Sequence, residues 1–355
     1  MFASINPNSW NIAVTANQNT QISTAAATEK TLVIGFSVTE MPSSYFPIAQ
    51  WTAQTQNLGI EIRKCGIGGI TTESLPYFID HVLDRHPDCN RVVFEIATSY
   101  VRQVYQQHAA YNNAYYREIW QHIERLILAC HARGKEAAFF NLPRADANYA
   151  DDMLEAIILK VCSVYSTPVL SLPNDFFLQQ VDIPSLLIDE VHPTPLGAQL
   201  YAEKLLGFIR SLGTPQLRRG PQPVKHRYNA LDIGSIVDEG SRRKFLRHGF
   251  EADYALVQEG KPLTVNFGSK HKIEGFSVLC GPRSGMLTIT TDQKRDFFCY
   301  DGHCYYERMM TSVQPLGTTE TVTFEIQPDM PQTKLLKGEK DMRSREIGIF
   351  FLFTE

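Results

Sequence analysis

Residues 31–40 read TLVIGFSVTE. The run Thr31–Val38 is apolar, rich in β-branched and aromatic side chains, and shows almost no polar alternation. That pattern predicts a strand buried on both faces, as in a parallel sheet. Similar runs recur at Ile60–Cys65, Arg91–Ala97, Glu136–Leu142 and Pro168–Leu172. Between them lie amphipathic stretches that predict helices at Thr72–Arg85, Tyr115–Arg133, Asp151–Tyr165 and Pro195–Leu212. In Tyr115–Arg133 the residues Ile119, Ile123, Leu126, Ile127 and Cys130 recur at steps of three and four, which is one buried helix face. Strand–helix alternation of this kind predicts a three-layer α/β/α domain with a flavodoxin-like parallel sheet and right-handed crossovers, over residues 31–212.

Outward from that domain the pattern changes. Residues 1–30 are polar and read as an N-terminal extension. Residues 213–228 are rich in Pro, Gly and basic side chains and read as a linker. From 229 to 355 short strand-like runs follow one another at Tyr254–Gln258, Pro262–Phe267, Gly275–Leu279, Met286–Thr291, Phe297–Arg308, Thr321–Ile326 and Glu346–Phe353. Strands without an intervening helix predict an all-β sandwich of jelly-roll type.

The composition is that of a folded globular chain: 355 residues, 43% hydrophobic, 20% charged, net charge −4. A mildly acidic balance gives no electrostatic case for nucleic acid. No run approaches the roughly 18 consecutive apolar residues of a membrane span. The start, MFASINPNSWNIAV, has neither a basic nor an apolar leader region, and the seven cysteines form no CxxC pair. The expectation is a cytoplasmic protein with reduced thiols.

Ser37 ends the first strand, at the carboxyl edge where open α/β sheets bind ligands. Alone it reads first as a turn former or helix N-cap. The sharper signal is IDEVHPTPLGAQLYAEKL, residues 188–205, where Asp189 and His192 stand three apart before a proline-initiated helix. That spacing lets the carboxylate bond the imidazole Nδ1–H and leave Nε2 to take a proton from a nucleophile.

Ser on the first strand and Asp-x-x-His-Pro before the last helix resemble the SGNH/GDSL hydrolases. The first block of that family, G-D-S-[LIV], is matched by Gly35, Ser37 and Val38, with Phe36 for the Asp. The second, similar to N-x-G-x-x-G-x-T, is matched by Lys64-Cys65-Gly66-Ile67-Gly68-Gly69-Ile70-Thr71, with Lys64 for the Asn. In the third, Ala97, Ser99 and Tyr100 stand where the family has Gly, Asn and Asp. The resemblance implies a Ser37–His192–Asp189 triad and an oxyanion hole from the N–H groups of Ser37 and Gly69, with Ser99 as a third donor. Asn141, at the end of the fourth strand, is a candidate supporting donor. The implied chemistry is acyl transfer through an acyl-serine, with a carbohydrate-linked O-acetyl ester as the expected substrate. Two alternatives stay open: an O-acyltransferase using the same site, and a non-catalytic scaffold that binds a glycan or protein.

The remaining features carry less. Cys299, His303 and Cys304 lack the paired spacing of a zinc site, and a hairpin around Asp301-Gly302 explains the segment instead. The basic run Arg242–His248 reads as a solvated face. Phe297, Phe298, Tyr300, Tyr305 and Tyr306 read as core before they read as a sugar platform. There is no phosphate-binding glycine loop, so no cofactor and no metal are expected. Oligomeric state is not legible.

Overall fold

The computed structural model describes residues 29–99, 113–145, 153–216, 228–329 and 331–355. The first domain is built on five parallel strands: β1 (Glu29–Gly35), β2 (Ile60–Gly66), β3 (Arg91–Glu95), β4 (Glu136–Asn141) and β5 (Val169–Ser171). Their order is β2-β1-β3-β4-β5. Leu32, Val33, Ile34, Val92, Val93 and Phe94 are fully buried, as strands covered on both faces require.

The helices are α1 (Ser37–Glu40), α2 (Tyr45–Thr55), α3 (Leu75–Asp84), α4 (Asn113–Ala132), α5 (Met153–Val164), α6 (Leu172–Leu178) and α7 (Pro195–Leu212). Local chemistry sets several ends. Pro195 opens α7 where its missing N–H is harmless, Thr194 Oγ1 accepts from Gly197 N at 3.1 Å, and Gly213 stops the helix at φ 62°. The sequence did not foreshadow α2 and α6. The last two residues of the expected N-terminal extension belong to β1; the rest of it, and most of the expected linker, lie outside the described residues.

The second domain is one antiparallel sheet. Its strands are β6 (Asn229–Asp232), β7 (Arg242–Arg247), β8 (Phe250–Gln258), β9 (Leu263–Cys280), β10 (Met286–Thr290), β11 (Lys294–Phe298), β12 (Arg308–Ile326) and β13 (Glu346–Thr354). The path is β11-β10-β12-β9-β13-β8-β7, with β6 on β13. Register shifts at Val313/Gly317 and Thr319/Thr321 kink the long β12 against β9, and the sheet encloses its own core around Val265, Phe276, Val278, Leu287, Phe324 and Ile349.

Three expectations are corrected here. The runs Pro262–Phe267 and Gly275–Leu279 are one strand, β9, because Gly268 (φ 69°) lies within the strand and does not end it. Phe297–Arg308 is not a strand and Asp301-Gly302 is not a hairpin turn: β11 stops at Phe298 and β12 starts at Arg308. Between them Asp301 Oδ1 accepts from His303 N at 2.8 Å, a side-chain turn that leaves the ladder. The basic run Arg242–His248 is a solvated face only in part: it contains β7, Arg243 and Lys244 are exposed, and Arg247 pairs with Glu40. The seven cysteines, including Cys299 and Cys304, are buried free thiols. Among the described residues no helix is long and apolar enough to cross a membrane.

The domains share a core. Phe78 on α3 stacks on Phe351 of β13 with ring centroids 5.5 Å apart, Tyr77 stacks on Phe353 at 4.8 Å, and His81 meets Phe351 edge-on at 4.8 Å. Such ring pairs add about 0.5–1.5 kcal/mol each beyond the area they bury. Several of them together hold the two domains as one body rather than as beads on a linker.

Candidate active site

The site begins where β1 ends. The chain reverses so tightly at Gly35 that a Cβ there would lie 2.0 Å from Thr39 Oγ1. Ser37 therefore opens the short helix α1 at the carboxyl edge of the sheet, half-buried. Phe36, which stands where the resembled family has Asp, is 1% exposed and packs into the core. In the strand order, β1 has β2 on one side and β3 on the other, and the chain leaves β1 in opposite directions across that point. This is the crevice where open α/β sheets bind ligands.

Across the crevice lies the loop before α7. Ile188 N donates to His192 O at 2.8 Å and Thr194 N to Leu186 O at 2.8 Å, so the loop is closed on itself by backbone bonds. Gly197 is required behind it, because a Cβ there would lie 2.2 Å from Leu186 O. Asp189 Oδ1 accepts from the N–H groups of Val191 (2.9 Å) and His192 (2.8 Å), and Oδ2 lies 2.8 Å from His192 Nδ1. Burial pushes the Asp189 carboxyl up, but these bonds outweigh it and hold it below the usual carboxylate range. A carboxylate can only accept, so Nδ1 carries the proton and Nε2 is left with its lone pair. His192 Nε2 is 3.0 Å from Ser37 Oγ. The arrangement can draw a proton from the serine hydroxyl as it attacks an electrophile.

The candidate oxyanion donors follow the strands on either side. Gly69 lies just after β2, with φ 91°, a conformation that favours glycine. Ser99 ends the 3₁₀ turn Ala97–Ser99 after β3, half-buried. Ser37 sits between them, just after β1. Tyr100 lies outside the described residues. Asn141 is fully buried at the end of β4, and its amide donates to Glu155 Oε2 at 2.7 Å.

Sequence reasoning missed Glu95. It is fully buried at the end of β3, in register with Gly35 of β1. Thr39 Oγ1 donates to one of its oxygens at 3.0 Å and Thr98 Oγ1 to the other at 2.7 Å. Thr39 is also 2.7 Å from Tyr45 OH. The carboxyl thus ties the helix of Ser37 to the turn of Ser99. Burial pushes it up to about 7 against these hydrogen bonds. The available signal was a charged residue inside the buried run RVVFEIA. Also unforeseen were Glu40, Arg247 and Arg308, which join the domains beside Gly66–Gly69.

No protein-family model matches the chain, and no curated protein matches it. Solved structures do. A two-domain esterase active on acetylated mannans, co-crystallised with mannopentaose, is 12% identical; the match covers 92% of this chain and 90% of that one, with a TM-score of 0.59. The same enzyme in a second structure matches over 92% and 91% with a TM-score of 0.57. An acetyl xylan esterase is 18% identical over 50% of this chain and 98% of its own, with a TM-score of 0.42. At these identities the two-domain likeness shows the fold: a five-stranded parallel α/β domain and an antiparallel β-domain in one chain.

Proposed function

We propose that this protein is a serine esterase of the SGNH type that removes an O-acetyl group from a carbohydrate through an acyl-serine intermediate. The observation that carries it is the unbroken relay from Asp189 to His192 Nδ1 and from His192 Nε2 to Ser37 Oγ, with both links within 3.0 Å. In this reading Ser37 Oγ attacks the ester carbonyl while His192 Nε2 takes its proton. The N–H groups of Ser37 and Gly69, with the Ser99 hydroxyl, face the tetrahedral oxyanion. His192 then returns the proton to the departing sugar hydroxyl, and a water activated by the same imidazole releases acetate. The carbohydrate part of the proposal draws support from the fold shared, domain for domain, with an esterase active on acetylated mannans.

The test is exposure to a small fluorophosphonate followed by intact mass, then acetate release from acetylated manno- and xylo-oligosaccharides. Wild type is expected to gain one stoichiometric adduct that Ser37→Ala does not gain. Folded wild type that stays unmodified would overturn the esterase and favour a binding scaffold.

A further inference from the structure

The β-domain grips the candidate oxyanion loop at three places. The β7–β8 turn lies on the end of β2: Gly66 N donates to His248 O at 2.9 Å, and a Cβ on Gly249 would lie 1.7 Å from Lys64 O. Next to it, Arg247 Nε is 2.7 Å from Glu40 Oε1. Glu40 closes the short helix that Ser37 opens, and its other oxygen fills the place a Cβ of Gly68 would need, at 1.8 Å. Arg247 is itself held by Glu307 O at 2.6 Å and by the Tyr306 ring, 4.6 Å from its guanidinium carbon.

The third contact is on Gly69 itself. The three atoms nearest to a Cβ built there belong to Arg308 and Met309 at the start of β12, led by Arg308 Nη1 at 2.2 Å and Met309 O at 2.6 Å. Arg308 is 7% exposed. Its Nη2 is paired with Asp301, and its Nε has no partner among the described residues. A buried guanidinium with one carboxylate partner and an unused N–H is expensive to keep for stability alone. A glycine at φ 91° in a Gly-Ile-Gly-Gly turn is also free to swing unless something fixes it.

We infer that Arg308 is a positioning residue: pressed with Met309 against Gly69, it holds the Gly66–Gly69 turn so that the Gly69 N–H stays aimed at the oxyanion. The β-domain thereby completes the catalytic edge of the α/β domain rather than serving as an appended binding module. This inference rests on the esterase reading for its kinetic consequence, but not for the clamp itself.

The experiment uses the full chain, with Arg308→Gln, Arg308→Lys and Asp301→Asn. It reads kcat and KM on p-nitrophenyl acetate together with peptide-level hydrogen exchange over residues 66–70. Arg308→Gln is expected to lower kcat by about 10²-fold while KM moves by less than about threefold, as for a misplaced but intact catalytic group. Exchange over 66–70 should quicken by about tenfold or more while the α4 and β4 peptides stay protected. Arg308→Lys keeps the charge without the planar fork and should recover part of the loss. Asp301→Asn leaves Arg308 in place and should show a smaller effect in the same two readouts. Unchanged kcat and unchanged exchange in Arg308→Gln would overturn the inference. So would a loss accompanied by equal quickening along the whole chain, which is unfolding. If wild type gives no phosphonate adduct, the esterase reading fails, and the exchange over 66–70 alone decides whether Arg308 is the clamp.

Discussion

The Asp189–His192 arm reaches Ser37 and the Gly66–Gly69 arm packs on Glu40 of the helix that Ser37 opens, yet they are held in different ways. The first is closed within nine residues of chain, from Leu186 to Thr194, by backbone bonds, an Asp189 side-chain turn and the cap of α7. The second has little of its own: three glycines, one at φ 91°, kept in place by Glu40 of α1 and by His248, Arg247, Arg308 and Met309 of the other domain. A self-closed loop tolerates change around it. A loop shaped by contacts from elsewhere depends on all of them, and a fault in any one is felt along the turn.

Replacements in the two arms should separate accordingly. The largest effect is expected from Asp189→Asn. The amide oxygen can keep the bonds from Val191 and His192 N, so the loop should fold, but the amide nitrogen favours the wrong imidazole tautomer. A fall in kcat of about 10⁴-fold on an acetyl ester is expected, with the melting temperature nearly unchanged. A fall below about tenfold would mean the relay is not the working machinery.

Gly69→Ala should come next, at about 10²–10³-fold in kcat, the size of one lost oxyanion donor. It should also lower stability by about 1–3 kcal/mol through left-handed backbone strain. The control is Gly134→Ala. Gly134 has φ 68° but open space around its Cβ position, so it should show strain without loss of activity. Equal activity losses in the two variants would mean that general backbone strain, not the held Gly66–Gly69 turn, accounts for the effect.

Glu95→Gln should have the smallest effect on rate and a clear one on pH dependence. Burial raises the Glu95 carboxyl from its usual 4.5 to about 7, so the folded state holds the proton more tightly than the unfolded chain does. Its stabilising contribution is then full below about pH 4.5 and lost as pH rises through about 7, an effect of at most about 3 kcal/mol. The groups facing it are Thr39, Thr98 and Tyr45. Thermal melts between about pH 5 and about pH 8 should show that Glu95→Gln loses this part of the slope. A variant whose slope matches wild type would remove Glu95 from the account.

Much of the first domain was legible because its signals are local. The central parallel strands β1, β3 and β4 are short runs buried along most of their length, and Pro195–Leu212 matches the sequence reading end for end because Pro195 starts it and Gly213 stops it. The second domain was less legible. The runs read at Pro262–Phe267, Gly275–Leu279 and Thr321–Ile326 are pieces of two long strands, β9 and β12, which continue through Gly268 and Gly317. Arg247 was read as part of a solvated face because its carboxylate partner, Glu40, is 207 residues away. Asn141 was singled out for its place at a strand end, but its neighbour Glu155 lies on a helix whose approach the strand pattern does not specify.

What the sequence by itself determined is therefore the layered α/β domain, the change to an all-β domain, and Asp189 and His192 as a candidate pair, because periodicity, proline and a three-residue spacing act over short stretches of chain. Ser37 was a candidate only through the family resemblance. Only the tertiary structure decided how Gly69 is held, where the Glu95 carboxyl sits, and that the two domains share one core. Those contacts join residues far apart in the chain, and their geometry depends on how whole elements pack.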